Sequence, residues 1–419
     1  GGRTAGRVTG EVDGRRGREM NARDYQAPAS VNRVQSLGLL VGGIALVLAI
    51  FGAVSSSEKF YHAYLFSYMW VLGLTLGSLG LLMLQHLTGG IWGIVIRRPL
   101  EAASRTIWLV LLMFVPIVLG MKYLYSGNGM ETGWLNSPKT GAGSLTAWQQ
   151  SYLTTSGYLA RAAIYFAVWL LLVWIFNRWS REQDANQDDR SLRRRIKMFA
   201  GPGIILYVLA MTFAAIDWVM STSPHWASTI YGFIFVAGQA ISSMSLMIAI
   251  VVLLAASEPY RHIIKKRHLH DLGKLLFAFN MLWAYFSFSQ LLIIWSGNQP
   301  EEITFYQTRF DSSWGVVAVI VLLFQFAIPF CLLLSRDLKR TASLISKVAV
   351  WMIFMRLVDL FWMTKPEFTQ SAWPSWLDIV VPIALVGLWL GFFAMNLKKL
   401  PLLPLGEPKV AEVIASDEH

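Results

Sequence analysis

The stretch FAGPGIILYVLAMTFAAIDWVMSTSPHWASTIYG, residues 199–232, decides the fold. It is an apolar run that carries one carboxylate, Asp217, near its far end, and a proline follows that acid after seven positions. About 140 residues later the same order returns in RLVDLFWMTKP, where Asp359 is also followed by a proline after seven positions and is preceded by Arg356. A carboxylate at the centre of a membrane helix costs roughly 2.5–3.5 kcal/mol. We therefore interpret both acids as functional residues of a membrane protein.

The overall composition favours the same class. The chain has 419 residues, of which 55% are hydrophobic and 15% charged, and its mean hydropathy is +0.48. An ordinary soluble domain carries about 25% charged residues. The net charge of +11 lies in short loops between apolar runs, which is typical of membrane topology rather than of nucleic-acid binding.

Cysteine and histidine usage excludes most redox cofactors from this chain. The sole cysteine, Cys331, lies inside an apolar run, so neither a disulfide framework nor an iron–sulfur cluster has ligands. No Cys-x-x-Cys-His motif is present for covalent haem, and the seven histidines lie near interfaces, loops or a tail. We predict that the chain binds no metal and no cofactor, so any electrons would travel through another subunit.

Ten apolar runs are long enough to cross about 30 Å of hydrocarbon. They lie near 34–54, 64–86, 105–126, 157–177, 197–220, 230–256, 272–296, 314–335, 342–364 and 377–396. The sequence thus predicts an all-α polytopic membrane domain over residues 34–396. It also predicts a disordered basic tail at 1–33, which has no signal-peptide cleavage pattern, and a C-terminal tail at 397–419.

The charge of the connecting loops sets the predicted orientation. Basic residues concentrate in alternate loops, for example Arg193-Arg194-Arg195 and residues 261–267, so both termini are expected in the cytoplasm. The matching acids and prolines also suggest an internal repeat of helices 2–5 and 6–9. We predict two four-helix bundles, at about 64–220 and 230–364, flanked by helices 1 and 10.

The polar residues inside the runs suggest a proton route. Carboxylates among membrane helices can exchange protons, and water can bridge neighbouring hydroxyl and amide groups. The candidates are Asp217, Asp359, Arg356, Lys274, Asn280, Gln290, Gln239, Ser242 and His225.

Several of these candidates have a purely structural alternative, which for Asp217 is a hydrogen bond to free backbone groups near Pro224. Arg356 and Asp359 are three positions apart, so they could equally be an ion pair that only neutralises itself. Asp217 has no cation at helical spacing, which favours a function. His225 is expected more as a turn residue than as a proton carrier. Asn280, Gln290 and the neighbouring Gln325 are also typical of interhelical hydrogen bonding.

Four segments together resemble a known family. They are HLTGGIWGIVIRRPLEAAS at 86–104, AAIDWVMSTSPHWASTIYG at 214–232, HDLGKLLFAFNMLWAYFSFSQLLIIWSGNQPEEI at 270–303, and LLLSRDLKRTASL with MRLVDLFWM between 332 and 363. The chain resembles the NrfD-like membrane subunits of bacterial alternative complex III, and among them the shorter of two ten-helix subunits. The resemblance extends over about residues 34–405.

This resemblance implies a multi-pass subunit of a quinol:cytochrome c (or cupredoxin) oxidoreductase in the bacterial inner membrane. The implied partners are a sibling NrfD-like subunit, multihaem cytochromes and an iron–sulfur subunit, which would hold the haem c and the clusters, besides membrane lipid. In the family the better quinol pocket belongs to the sibling subunit, whereas here only Arg161, near Tyr158 and Tyr165, is a candidate for contacting quinone. We therefore expect proton conduction and scaffolding from this chain. Two rivals remain open at this point, a proton-coupled secondary transporter and a purely structural membrane anchor.

Overall fold

A computed structural model describes residues 25–127, 133–141, 144–186, 189–407 and 410. All regular secondary structure within these residues is helical, which confirms the predicted all-α class. The predicted N-terminal tail lies outside the described residues as far as residue 24, and so does the end of the C-terminal tail from residue 411.

Ten long helices follow the ten apolar runs. They are α1 (Ala29–Ser55), α2 (Ser57–Thr88), α3 (Arg97–Leu119), α4 (Thr155–Ala185), α5 (Arg190–Trp218), α6 (Tyr231–Ala255), α7 (Lys266–Gly297), α8 (Trp314–Leu334), α9 (Ala342–Thr364) and α10 (Leu377–Leu397). Within the described residues, nine of them are long and apolar enough to cross a membrane. The other is α9, which is 23 residues long but carries Lys347, Arg356 and Asp359.

Local sequence signals explain several helix ends. The Asp189 carboxylate accepts hydrogen bonds from the backbone N–H groups of Ser191 and Leu192 and so caps α5. Gly89 ends α2 with φ of +66°, a left-handed conformation that glycine adopts without a steric penalty. The helix α1 begins at Ala29, five residues before the predicted run and directly after Pro28, which makes no side-chain capping hydrogen bond.

Two groups of four helices form the centre of the molecule. Helices α2–α5 pack on one another, helices α6–α9 do the same, and α2 joins the groups by packing along α6. The two helices approach closely at Gly77, where a Cβ atom would lie 2.3 Å from the carbonyl oxygen of Gln239. Small residues at such positions let helix backbones meet in a membrane, where close packing drives association.

Helices α1 and α10 form a separate pair against α2. A Cβ atom on Gly42 would lie 2.6 Å from the backbone nitrogen of Leu388, so the contact requires glycine. The outward face of α1 exposes large apolar side chains, including Leu40, Val47 and Phe51. Such a face fits a lipid environment.

Hydrogen bonds between loops define the two ends of the helix assembly. One end contains Tyr25, Tyr260 and Leu402 and is called the terminal end. There the Tyr260 hydroxyl and the Leu402 backbone N–H both donate to the carbonyl oxygen of Tyr25, at 2.7 and 2.8 Å. The other end contains Trp226 and Glu302 and is called the opposite end. There the Trp226 indole donates to the carbonyl oxygen of Glu302 at 3.1 Å.

Candidate functional site

Asp217 lies in the last turn of α5, near the opposite end, and its side chain is completely buried. The Arg161 guanidinium of α4 binds both carboxylate oxygens, with Nε to Oδ2 at 2.8 Å and Nη2 to Oδ1 at 3.0 Å. The Tyr165 hydroxyl, one helical turn further along α4, donates to Oδ2 at 2.7 Å. Three charge-assisted hydrogen bonds therefore hold one carboxylate between two helices.

Arg161 connects this carboxylate to the loop side of the molecule. Its Nη1 donates to the carbonyl oxygen of Tyr152 at 2.9 Å, and its guanidinium carbon lies 3.8 Å from the centroid of the Tyr152 ring. Burial, and after it the negative charge of Asp217, raises the pKa of the Tyr152 phenol to about 12. The Arg161 side chain keeps an exposed fraction of 20%, so solvent reaches the cation although it does not reach the acid.

Sequence analysis finds no cation for Asp217, because helical spacing identifies partners only on the same helix. Arg161 lies 56 residues earlier, and the pair forms through the packing of α4 on α5. A sequence signal for it did exist, since Arg161 was singled out among the few charges within the apolar runs. It was then considered for quinone contact rather than as the counter-ion of Asp217.

Arg356 and Asp359 form the second buried ion pair, within α9. Both side chains have an exposed fraction of only 2%. The guanidinium lies on the backbone of α6, where a Cβ atom on Gly238 would meet its Cζ at 2.2 Å. The structure thus supports the alternative of an ion pair for these two residues. This pair is enclosed on all sides, in contrast to Arg161–Asp217.

The polar candidates of α6 bond locally. The Tyr207 hydroxyl of α5 donates to Gln239 Oε1 at 2.6 Å, which ties the two helix groups together. The Ser242 hydroxyl donates to the carbonyl oxygen of Gly238 at 3.0 Å, within its own helix. Both side chains are buried, and their bonds are those of helix packing.

The two amides of α7 lie at different depths. Gln290 is close to the opposite end, where its Oε1 accepts from the Ser228 hydroxyl at 2.8 Å and its Nε2 donates to the Tyr306 hydroxyl at 3.3 Å. Asn280 is near the middle of α7, and its Nδ2 donates to the carbonyl oxygen of Phe326 at 3.3 Å. These bonds link α7 to its neighbours, as expected of interhelical amides.

Two predicted members of the proton route lie on the surface. Lys274, a candidate member of the proton route, has an exposed side-chain fraction of 59% and lies 3.7 Å from Asp271, apart from the buried polar groups of α7. The buried face of α7 runs through Leu272, Leu276 and Asn280, and position 274 lies on the other side of the helix. His225 is also exposed, in the turn after α5, which fits the alternative of a turn residue.

Further buried ion pairs lie at both ends. At the opposite end Arg309 binds Glu367 at 2.8 Å, and Lys365 binds Asp378 at 2.6 Å. Burial lowers the pKa of Lys365, and the charge of Asp378 acts in the other direction. A half-open cavity of about 330 Å³ borders Glu367 and reaches Thr222, just after α5.

At the terminal end the buried Glu101 carboxylate accepts hydrogen bonds from Arg97, Arg98 and Ser180, at 3.3, 2.7 and 2.6 Å. Sequence analysis assigned no role to this cluster, although the adjacent Arg97 and Arg98 in a short loop signalled the terminal end. Both Glu101 carboxylate oxygens are bonded, whereas Nε of Arg98 finds no hydrogen-bond partner among the described residues.

The fold and these pairs define the class: a helical protein whose described residues include nine candidate membrane spans, in which buried acids are held by arginine or lysine. Among the described residues, no group of three or more His, Cys, Asp or Glu side chains could hold a metal ion. In comparisons with known proteins, no family model matches the chain and no curated protein matches it.

Proposed function

We propose that this chain is a ten-span subunit of a bacterial inner-membrane quinol:cytochrome c (or cupredoxin) oxidoreductase of the alternative complex III type. The sequence resemblance supports the family, and the nine apolar helices support a multi-pass membrane protein. In this proposal α9 also crosses the membrane, which brings the number of spans to ten. Its 23 residues extend about 35 Å, and two of its three charges neutralise each other inside the protein.

In this proposal the terminal end faces the cytoplasm and the two helix groups are two four-helix bundles. The basic segments 193–195, in the first turns of α5, and 261–267, which reaches the start of α7, lie at the terminal end, in agreement with the positive-inside rule. The opposite end would then face the periplasm and the haem- and cluster-bearing partner subunits. An exposed Trp148 and the cavity beside Glu367 lie there, which suits the docking of a partner.

The proposed role of the chain is proton exchange at Asp217 combined with scaffolding. The observation that carries this role is the unequal burial of the pair, because the acid is enclosed while Arg161 touches solvent. When the Arg161 guanidinium moves away from Asp217, the carboxylate loses its counter-ion and can accept a proton. When Arg161 returns, the proton must leave, and the Tyr165 hydroxyl is positioned to carry it.

Asp359 receives the scaffolding part of the role. Arg356 is fixed between its partner acid and the backbone of α6, so it has no solvent path along which to move. Quinol oxidation is assigned to a partner subunit, since Nε, Nη1 and Nη2 of Arg161 each already donate a hydrogen bond to Asp217 or Tyr152. Haem c and iron–sulfur clusters likewise belong to the partners.

The test uses the tagged chain in its native membrane. Copurification, haem staining and identification of the partners establish the complex. The complex carrying Asp217→Asn is then reconstituted in vesicles, with the surface variant Asp271→Asn as control. We expect Asp217→Asn to assemble but to lose proton release or turnover, whereas the control behaves as wild type. Unchanged turnover and proton release in Asp217→Asn would reject the role.

A second candidate function is that of a structural anchor. It is favoured by the observation that Asp217 and Asp359 are both paired with arginine. On this alternative, complexes carrying Asp217→Asn turn over normally once assembled, and so do complexes carrying Arg356→Met together with Asp359→Leu.

A further inference from the structure

Helix α8 contains a wide turn in its middle. Residues Val321–Ala327 form a π-helical segment between two α-helical halves. Pro329 follows two residues later and lacks the N–H that would bond the carbonyl of Gln325 in a regular helix. The wide turn accommodates this break, and such turns often occur at functional sites.

Two neighbouring helices bond to the backbone of this wide turn. The Trp351 indole of α9 donates to the carbonyl oxygen of Phe324 at 3.0 Å. Asn280 of α7 donates to the carbonyl oxygen of Phe326 at 3.3 Å. The two carbonyls that flank Gln325 are thus bonded from opposite sides, which fixes the turn between α7 and α9.

The Gln325 side chain is fully buried in this turn, with an exposed fraction of 0%. Neither its Oε1 nor its Nε2 finds a hydrogen-bond partner in the described part of the chain, and the same holds for Oδ1 of the buried Asn280. Gln325 is the twelfth of the 21 residues of α8, so these atoms lie near mid-depth. Leaving an amide unbonded in an apolar medium costs roughly 4–8 kcal/mol on the cyclohexane scale, and buried polar groups are rarely left in this state.

We propose that Gln325 and Asn280 form a binding site for ordered water in the middle of the second helix group. A water molecule can donate to Gln325 Oε1 and Asn280 Oδ1 and accept from Gln325 Nε2, which satisfies all three atoms. The ligand is neutral, because both amides are neutral and Arg356 is bonded to Asp359. The claim that this site binds water does not depend on the proposed function. The claim that the bound water relays protons does rest on the proposed function.

The direct test is a density map of the assembled complex at a resolution that shows water. We expect density within hydrogen-bonding distance of both Gln325 and Asn280 Oδ1, and its loss in Gln325→Met, which keeps the side-chain length without the amide. A map in which Gln325 bonds only protein groups, or in which the space is dry, overturns the site. This readout needs no turnover.

The relay is tested by proton release from the same vesicles. Gln325→Met should slow it about tenfold or more, because it removes both amide atoms that bond the water. The control, Leu322→Met, lies on the exposed side of the same wide turn and should change nothing. If Asp217→Asn loses proton release while Gln325→Met does not, the relay is overturned and the proposed function stands. If only Gln325→Met is slowed, the relay stands and the assignment to Asp217 is overturned.

Discussion

Removing either member of the Arg161–Asp217 pair should have clearly unequal effects on stability. Arg161→Met leaves the Asp217 carboxylate fully buried, with only Tyr165 as a charge-stabilising partner. Breaking a buried pair in this way costs about 3–5 kcal/mol of the free energy of unfolding. Asp217→Asn instead leaves a cation with a 20% exposed side chain that keeps its bond to the Tyr152 carbonyl. Its cost should be about 1–3 kcal/mol.

The double variant separates the pair from its surroundings. Arg161→Met combined with Asp217→Asn removes both charges, so its cost should be close to that of Asp217→Asn alone. The coupling energy from this double-mutant cycle is then about 3 kcal/mol or more. The assay is unfolding of the purified chain by SDS in mixed micelles, followed by circular dichroism.

A matched control lies on the same helix. Arg178 and Glu182 form an ion pair on α4 at 2.8 Å, but their exposed fractions are 54% and 39%. Arg178→Met should therefore change the free energy of unfolding by at most about 1 kcal/mol. The reasoning is refuted if Asp217→Asn costs as much as Arg161→Met, or if the two effects add to within about 0.5 kcal/mol.

Three further predictions concern other parts of the molecule. Gly42→Ala should destabilise the chain by about 1–3 kcal/mol, because its Cβ would lie 2.6 Å from the backbone nitrogen of Leu388. The adjacent Gly43→Ala is the control, since its Cβ would have no atom within 4 Å and should not destabilise the chain. Equal SDS-unfolding midpoints of the two variants would contradict this prediction. Glu407→Ala removes a carboxylate that accepts from Arg97 and Gln183, so limited proteolysis of the segment after α10 should become roughly tenfold faster, while the exposed Lys399→Ala is the unchanged control. Burial lowers the pKa of Lys365 from 10.5, so between that lowered pKa and 10.5 the unfolded state binds more protons than the folded state. The free energy of unfolding should therefore rise with pH in this window. The rise should be absent from Lys365→Met, and equal pH profiles of the two proteins would refute the prediction.

Much of the helical frame could be predicted from the sequence. Every apolar run became a long helix, because twenty or so apolar residues without strand or turn signals favour a span. The ion pair Arg356–Asp359 was also available as an alternative, since residues three apart share a helix face. Gly73, Gly77 and Gly80 also recur at helical spacing in α2, and α6 approaches this helix closely at Gly77.

The interior face of each helix was much harder to predict. A membrane helix is apolar towards lipid as well as towards its neighbours, so its sequence has little amphipathic contrast. Lys274 illustrates this difficulty: it was a candidate for the proton route, and its side chain lies on the exposed side of α7. Gln325 was predicted to form an interhelical hydrogen bond. The wide turn next to Pro329 instead buries its side chain where no described protein group bonds it.

The sequence by itself determined which segments are helical and apolar, and that Asp217 and Asp359 lie within them. Those properties follow from the transfer free energies of residue types, which add along the chain. Only the tertiary structure decided that Asp217 meets Arg161 of α4, and that one ion pair touches solvent while the other is enclosed. Contacts between helices depend on rotation and depth, which are set by side chains packing across distant parts of the chain.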